Sequence, residues 1–224
     1  MPQGILFSQM IPMPGDVERF NTWYNDDHIP ARMVLPHFIR ASRYEPVAGS
    51  GTRDYLAVYE VDDRSAFHTP QYQELKQSPS AETDTMLSRI SGFTRYIADE
   101  LGDSGPSEAR TNYLSVVAFA VPEQDEDQFN EWYGSEHVPM LLEADDWLRV
   151  RRYKVTDGIG GPWTHLALHE LASLEVMESP ERARARRGPL RERLVGRRWF
   201  ENSGRWLYRS LGTESAADYQ HDEV

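Results

Sequence analysis

Two histidines close two copies of one short motif: residues 20–30 read FNTWYNDDHIP and residues 129–139 read FNEWYGSEHVP. Imidazole titrates near neutrality, so His28 and His137 suit proton transfer. Tyr24 and Tyr133 lie about one helical turn earlier, where a phenol can hydrogen-bond the same substrate atom. Phe20, Trp23 and His28, like Phe129, Trp132 and His137, fall at spacings that share one helical face. That face must look at a sheet, with the imidazole at the end of its apolar stripe. Asp27 and Glu136 precede the histidines directly, so they point about 100° away on a helix and miss the ring. A plainer role competes: the aromatics are core, and each histidine caps a helix C-terminus through its dipole.

The copies differ on a later apolar run, where Tyr55 and Tyr59 become His165 and His169. Residues at i and i+4 on a strand share a side, so His137, His165 and His169 are expected around one pocket. Three imidazoles are a conceivable zinc or iron site. No tight ligand motif and no obvious fourth carboxylate accompany them, so the expectation is no metal. Arg43, Arg152, Arg95 and Arg205 occupy matching strand positions and could hold a carboxylate, phenolate or enolate, or pair with a neighbouring Asp or Glu. Residues 181–198 carry eight arginines against two glutamates. They form either a lip for an anion or a solvated helix that neutralises the acidic faces around it.

The elements that position these groups can be read from the whole chain. It has 224 residues, 39% hydrophobic and 11% aromatic, enough to bury a core and too apolar for disorder. There is no cysteine, which excludes disulfides, thiolate metal sites and a cysteine nucleophile. The net charge of −12 repels phosphate backbones, so nucleic acid is not an expected partner. No apolar run reaches the roughly 18 residues of a membrane helix, and residues 1–16 lack a signal-peptide pattern. A soluble, cytoplasmic protein is expected. The absence of G-x-G-x-x-G, P-loop, G-x-S-x-G and CxxC leaves nucleotide cofactors and serine hydrolysis without support.

The motif copies match at six of eleven positions with an offset of 109, which continues through Arg43-Tyr44 and Arg152-Tyr153. The offset then becomes 110, pairing Leu56-Ala57 with Leu166-Ala167, Glu60 with Glu170, Pro70 with Pro180 and Arg95 with Arg205. Such internal similarity reads as an old tandem duplication. The polar stretch 101–112 reads as its linker and 213–224 as a frayed tail. Each half predicts the same elements: strands at 4–12 and 113–121, then helices from Asp16 to His28 and Asp125 to His137. Asp125 and Gln128 have capping-box spacing. A hairpin follows at 39–46 and 55–61, or 148–156 and 165–171, around glycine-rich turns at 48–51 and 157–161. Helical segments at 64–90 and 174–198 and last strands at 93–99 and 203–209 complete the ferredoxin-like βαββαβ order. The fold class is α+β: two ferredoxin-like repeats (1–104 and 105–212) packed sheet to sheet as an intramolecular barrel. Two separate domains, each dimerising with another chain, are the alternative.

The motif F-N-x-W-Y-x-x-[DE]-H-[IV]-P followed by R-Y resembles the dimeric α+β barrel superfamily, particularly its EthD-like members, over nearly the whole chain twice. The resemblance implies an enzyme on a small aromatic or polyketide-like molecule. Superfamily members include cyclases, cofactor-independent anthrone-type monooxygenases, isomerases, decarboxylases, dehydratases and haem-handling proteins, and fold does not choose among them. The expectation is a cofactor-free lyase or isomerase. His137 or His28 is the base, assisted by His169, and Tyr133 or Tyr24 donates to the oxyanion. Trp132, Trp23, Phe129, Phe20, His165, Tyr59, Arg152 and Arg43 would hold the substrate. A cofactor-independent monooxygenase of a phenol and a non-enzymatic small-molecule binding or stress protein are the alternatives. A homodimer is left open. The second half, with more imidazoles, is the expected working half, because a phenol with a pKa near 10 seldom accepts a proton.

Overall fold

The computed structural model describes residues 4–106 and 111–219. The first half runs β1 (Gly4–Pro12), α1 (Val17–Trp23), α2 (Pro30–Met33), β2 (Phe38–Pro46), β3 (Tyr55–Val61), α3 (Pro70–Gln77), α4 (Ala81–Leu87) and β4 (Ile90–Ser104). The second runs β5 (Tyr113–Phe119), α5 (Glu126–Trp132), α6 (Val138–Leu141), β6 (Trp147–Ile159), β7 (His165–Leu171), α7 (Pro180–Ala185), α8 (Pro189–Glu192), α9 (Arg198–Glu201) and β8 (Gly204–Ser215). The strands close into one barrel in the order β1-β3-β2-β8-β5-β7-β6-β4.

The strands are apolar on both faces because both faces are covered. Ile5, Phe7, Leu56, Val58, Leu166 and Leu168 fill the barrel interior together with Tyr44, Tyr153 and Tyr208. Alternate residues, such as Leu6, Met10, Ala57 and Tyr59, pack outward against the helices of the first half. Val117, Phe119 and Ala167 do the same in the second.

The halves meet by their edges. Strand β2 pairs antiparallel with β8, placing Tyr44 opposite Ser210. Strand β4 pairs with β6, placing Asp99 opposite Lys154. Closure therefore leaves no sheet edge unpaired.

The sequence expectations need four corrections. The first helix of each half is α-helical only to Trp23 or Trp132 and then widens into a π turn, Tyr24–His28 or Tyr133–His137. The predicted linker begins too early, because Leu101–Ser104 continue β4. Gly105 ends that strand at φ 108°, where a Cβ would collide with the Leu148 carbonyl, and residues 107–110 lie outside the described residues. The expected tail is also ordered in part: Thr213–Ser215 pair with β2 and Ala216–Tyr219 form a 3₁₀ turn, while 220–224 lie outside the described residues. Finally, Asp125 makes no capping box. Its carboxylate accepts from Arg197 and from Trp199 Nε1 at 2.7 Å, and Gln128 accepts from Arg197 too.

The long helical segments are broken where side chains cap new starts. Thr69, Ser80 and Ser179 accept from the backbone N–H three residues on, and Pro70 and Pro180 sit at the first helical position.

One end of the barrel holds a buried ion network. Arg151 lies 2.5 Å from Glu60 and 2.9 Å from Glu170, and all three are buried. Arg151→Met should leave two buried carboxylates without this cation and cost about 3–5 kcal/mol. Adding Glu60→Gln and Glu170→Gln should restore most of the loss in urea unfolding at pH 7. A loss below about 1 kcal/mol for the single variant would show that the network does not hold the barrel.

Candidate active site

In the second half a cavity of about 420 Å³ opens between the outer face of the sheet and its covering helices. Ser115, Val117 and Phe119 of β5, Trp147 of β6 and His169 of β7 form its sheet side. Trp132, Tyr133 and His137 descend from α5 and its π turn, and Leu141 from α6. Arg182, Arg186, Arg191, Phe200 and Arg205 surround the opening.

The π turn sets the polar groups. Its extra residue per turn brings Tyr133 and His137 to the same side, with ring centroids 5.1 Å apart. Glu136 is turned the other way, and its carboxylate accepts from the backbone N–H groups of Leu190 (2.9 Å) and Arg191 (3.0 Å). Gly188 makes this possible, since a Cβ there would collide with the Glu136 carboxylate. The equivalent Asp27 accepts from Ser80 at 2.5 Å. Both carboxylates thus tie helices together and miss the imidazoles.

Hydrogen-bond chemistry fixes the proton positions. Trp147 Nε1 lies 3.2 Å from His169 Nδ1, and an indole N–H can only donate. His169 Nδ1 therefore accepts, and its proton sits on Nε2, 2.8 Å from the Tyr133 hydroxyl. Tyr133 must accept there, which frees its own O–H to donate elsewhere. His137 Nδ1 lies 3.1 Å from the Ala185 carbonyl, which can only accept. His137 therefore donates through Nδ1 and keeps a lone pair on Nε2. The site offers one acceptor and one donor close together.

Burial sets the titration. It pushes His137 down to about 4, opposed by the Ala185 hydrogen bond and reinforced by Arg191, Arg205 and Arg182. Burial also holds His169 well below its usual range, with His137 adding to the effect. It raises the Tyr133 phenol, which stays protonated although Arg205 and Arg152 lower it. The neutral-pH titration expected of these histidines is thus replaced by neutral rings at pH 7.

The first half builds the same turn without the same space. Tyr24 and His28 have ring centroids 4.8 Å apart, but the Tyr24 hydroxyl faces Met10 Sδ, and Tyr59 Oη and His28 Nδ1 are buried without a hydrogen-bond partner among the described residues. His28 does not line the cavities found beside this half, which lie against Met33–Ile39 and against Arg43. Tyr72, at the position offset by 110 from Arg182, explains the difference. Its ring packs 5.6 Å from Phe38 and 5.8 Å from Phe67, and its hydroxyl accepts from Arg95 at 3.0 Å. The aromatic ring fills what is open around Arg182.

The remaining expected site residues divide. His165 is not with His137 and His169. Four strand residues span about 13 Å, and Phe129 packs against the His165 ring at 5.0 Å. His165 is 3% exposed, and its Nε2 lies 3.4 Å from Glu126. Tyr55 packs edge-on to Phe20. Arg43 donates to Asn21 and Asn25 and lies over the Tyr24 ring, and Arg152 donates to Asn130 and lies over Tyr133. They bind helix to sheet from behind and line neither expected pocket. Phe20, Trp23 and Phe129 are core. Among the described residues no group of three or more His, Asp or Glu is arranged to hold a metal ion. Trp147 escaped the sequence reading, although Phe38 stands at the matching offset of 109.

No protein-family profile matches the chain, and no curated protein matches it in sequence. Solved structures match over almost all of it. An anthrone oxidase-like protein superposes with a TM-score of 0.69 at 11% identity, covering 99% of this chain and 97% of its own. A protein from Lactobacillus acidophilus NCFM, provisionally assigned as a monooxygenase, gives 0.63 at 10% identity over 96% and 97%. Another with that assignment, from Fusobacterium nucleatum, gives 0.60 at 12% identity over 96% and 95%. At these identities the likeness is one of fold. Among the described residues no helix is long and apolar enough to cross a membrane.

The depressed histidines predict a pH dependence. Between about pH 4 and the unfolded value near 6.5, the unfolded chain binds protons that His28, His137 and His169 refuse when folded. Stability should therefore be full above pH 6.5 and fall as the pH drops toward 4. Urea midpoints at pH 7.5 and 5.0 check the sign, and the His137 ring resonances should not titrate above about pH 5.5. Titration near 6.5 would show that the ring is solvated.

Proposed function

We propose that this chain is a small-molecule enzyme that begins by proton abstraction in the second-half cavity and needs no cofactor. The observation behind this is the fixed proton arrangement: a lone pair on His137 Nε2 beside a Tyr133 hydroxyl freed to donate by the His169–Trp147 chain. His137 takes a proton from an acidic C–H or O–H. The electron pair moves to a ring oxygen, and Tyr133 donates to it. His169 and Trp147 act as positioning residues. Trp132, Phe119 and Phe200 supply flat apolar walls for an aromatic ring. From such an anion, isomerisation returns the proton to another carbon, cyclisation joins the carbanion to a carbonyl whose oxygen takes the proton, and dehydration expels hydroxide that takes the proton as water. In decarboxylation a substrate carboxylate instead leaves as CO₂ and the imidazolium protonates the carbon left behind.

The neighbouring structures favour a second fate for the same anion, since one is anthrone oxidase-like and two carry a provisional monooxygenase assignment. A ring CH₂ would react with dioxygen to give C=O and water. The four electrons lost by carbon reduce O₂, one oxygen atom entering the ring and the other leaving as water.

The chain itself we read as a tandem duplication of a ferredoxin-like unit, 1–104 and 105–212, within the dimeric α+β barrel superfamily of EthD-like type. The support is the six-of-eleven motif identity and the same element order in both halves. A small aromatic molecule is the expected partner, and the cytoplasm the expected compartment.

The test is enzyme-dependent deuterium exchange into hydroxylated anthrones and naphthols under nitrogen, with oxygen uptake recorded in air. Exchange without uptake favours the lyase or isomerase, and uptake favours the oxygenase. His137→Ala and Tyr133→Phe should lower the rate by about 10²–10³. Trp147→Phe and His169→Ala should lower it by about tenfold in correctly folded protein. His28→Ala should leave the rate of the folded fraction close to that of the parent. A dead His28→Ala beside a healthy His137→Ala would move the work to the first half. Purified protein should also lack Soret and flavin absorption; either band at stoichiometric strength overturns the cofactor-free reading.

A further inference from the structure

The second-half cavity carries an excess of positive charge in a chain of net charge −12. Arg182, Arg186, Arg191 and Arg205 all line it. Elsewhere in the same segment Arg184 pairs with Glu143, Arg193 with Glu131 and Arg197 with Asp125, while Arg187 and Arg198 are exposed. At the cavity, among the described residues, no carboxylate comes within 4 Å of Arg186, Arg191 or Arg205, and Arg182 approaches only the exposed Glu178 at 3.9 Å. Glu201 also lines the cavity, but its carboxylate accepts from the Gly196 N–H at 3.1 Å. Burial and mutual repulsion among these guanidiniums lower the pKa values of Arg182 and Arg205. Arg186, Arg191 and Arg205 are thus cations gathered with no carboxylate within 4 Å among the described residues.

Below the arginines the walls are flat and apolar. The Phe119 and Phe200 rings lie nearly parallel, with centroids 5.9 Å apart, and Trp132 meets Phe200 edge-on at 5.1 Å. Among the described residues Trp132 Nε1 is buried without a hydrogen-bond partner, whereas its counterpart Trp23 donates to Thr83 at 2.9 Å. The space of about 420 Å³ is nearly three times the roughly 150 Å³ that holds one benzene.

We infer that this cavity selects a fused-ring aromatic acid, with its carboxylate on Arg186 and Arg205 and a ring oxygen at Tyr133 and His137. The inference rests on the proton-abstraction reading and adds the substrate class. A carboxylate conjugated to the ring keeps the molecule flat, as the walls require, and matches the planar fork of a guanidinium. A tetrahedral phosphate meets only the second condition. The chain as a whole carries a net charge of −12, so binding an anion in this cavity depends on these side chains.

Calorimetric titration at pH 7 with hydroxynaphthoic acid, naphthol and inorganic phosphate tests it. The acid should bind at least about tenfold more tightly than naphthol, as charge-assisted hydrogen bonds allow, and the advantage should shrink as salt rises. The double variant Arg186→Gln, Arg205→Gln should remove the advantage and leave naphthol affinity unchanged, while Arg184→Gln should keep it. Equal affinity for acid and naphthol, in parent and double variant alike, overturns the inference while the proton-abstraction reading stands. Phosphate binding as tight as the acid overturns the choice of a carboxylate. If neither aromatic binds, the inference falls with the occupied cavity it assumes, whereas failure of the exchange test with normal acid binding removes only the enzymatic reading.

Discussion

A sheet with helices on one face must still bury the other, and the two seams that join β2 to β8 and β4 to β6 settle how this is done here. Each seam pairs a strand of one half with a strand of the other, so the inner faces of both sheets become a single interior. With the interior filled by Leu56, Val58, Leu166, Leu168 and three tyrosines, there is no room for a site at its centre. At one end of the barrel the interior turns polar: Arg151 pairs with Glu60 and Glu170, and with Tyr44, Arg149 and Arg209 they line a cavity of about 590 Å³. The outer layer between sheet and helix leaves a further space, of about 420 Å³, and there the packing differs between the halves.

That difference comes down to a few exchanges on a shared frame. The π turn, the tyrosine and histidine it displays and the arginine behind the tyrosine occur in both halves. The first half places Tyr72, Phe38 and Tyr59 around them, and three large rings close the space. The second places Arg182, Trp147 and His169 there. Replacing a buried ring by a long cation whose head stays near solvent opens volume and introduces charge together. Replacing Tyr59 by His169 gives the Tyr133 hydroxyl a partner, where the Tyr59 hydroxyl has none.

The strands were legible because their apolar runs are bounded by proline and glycine: residues 4–12 and 55–61 coincide with β1 and β3. The barrel followed from the motif that occurs twice, since two one-sided sheets in one chain can cover each other. The π turn was not legible, because residues 24–28 fit an ordinary helix equally well and the widening is set by how the tyrosine and histidine pack on the sheet. His165 was misplaced because sharing a strand face says nothing of the distance along it, and Phe129 fills the gap. Protonation was also out of reach. Burial and the Trp147 N–H decide it, and neither is visible before the fold is known.

A histidine held near pKa 4 is a poor base by itself, and the surroundings show how it can still serve as one. The nearby arginines oppose the imidazolium, so they would also oppose proton transfer from a neutral donor if the products separated. When the proton comes from a bound substrate, the products are an imidazolium and an anion about 3 Å apart. At an effective dielectric of about 20 their attraction is about 5.5 kcal/mol, equivalent to roughly four pKa units. That offsets the depression of His137 by burial, and the arginines then favour the pair through its anionic partner. On the proposed mechanism, the arginines that add to the effect of burial on His137 would thus favour ionising a substrate that brings an acidic proton to it. Trp147 contributes at the other end of the chain: by holding His169 in one tautomer it keeps Tyr133 a donor toward the anion and prevents it from turning its proton back on His169.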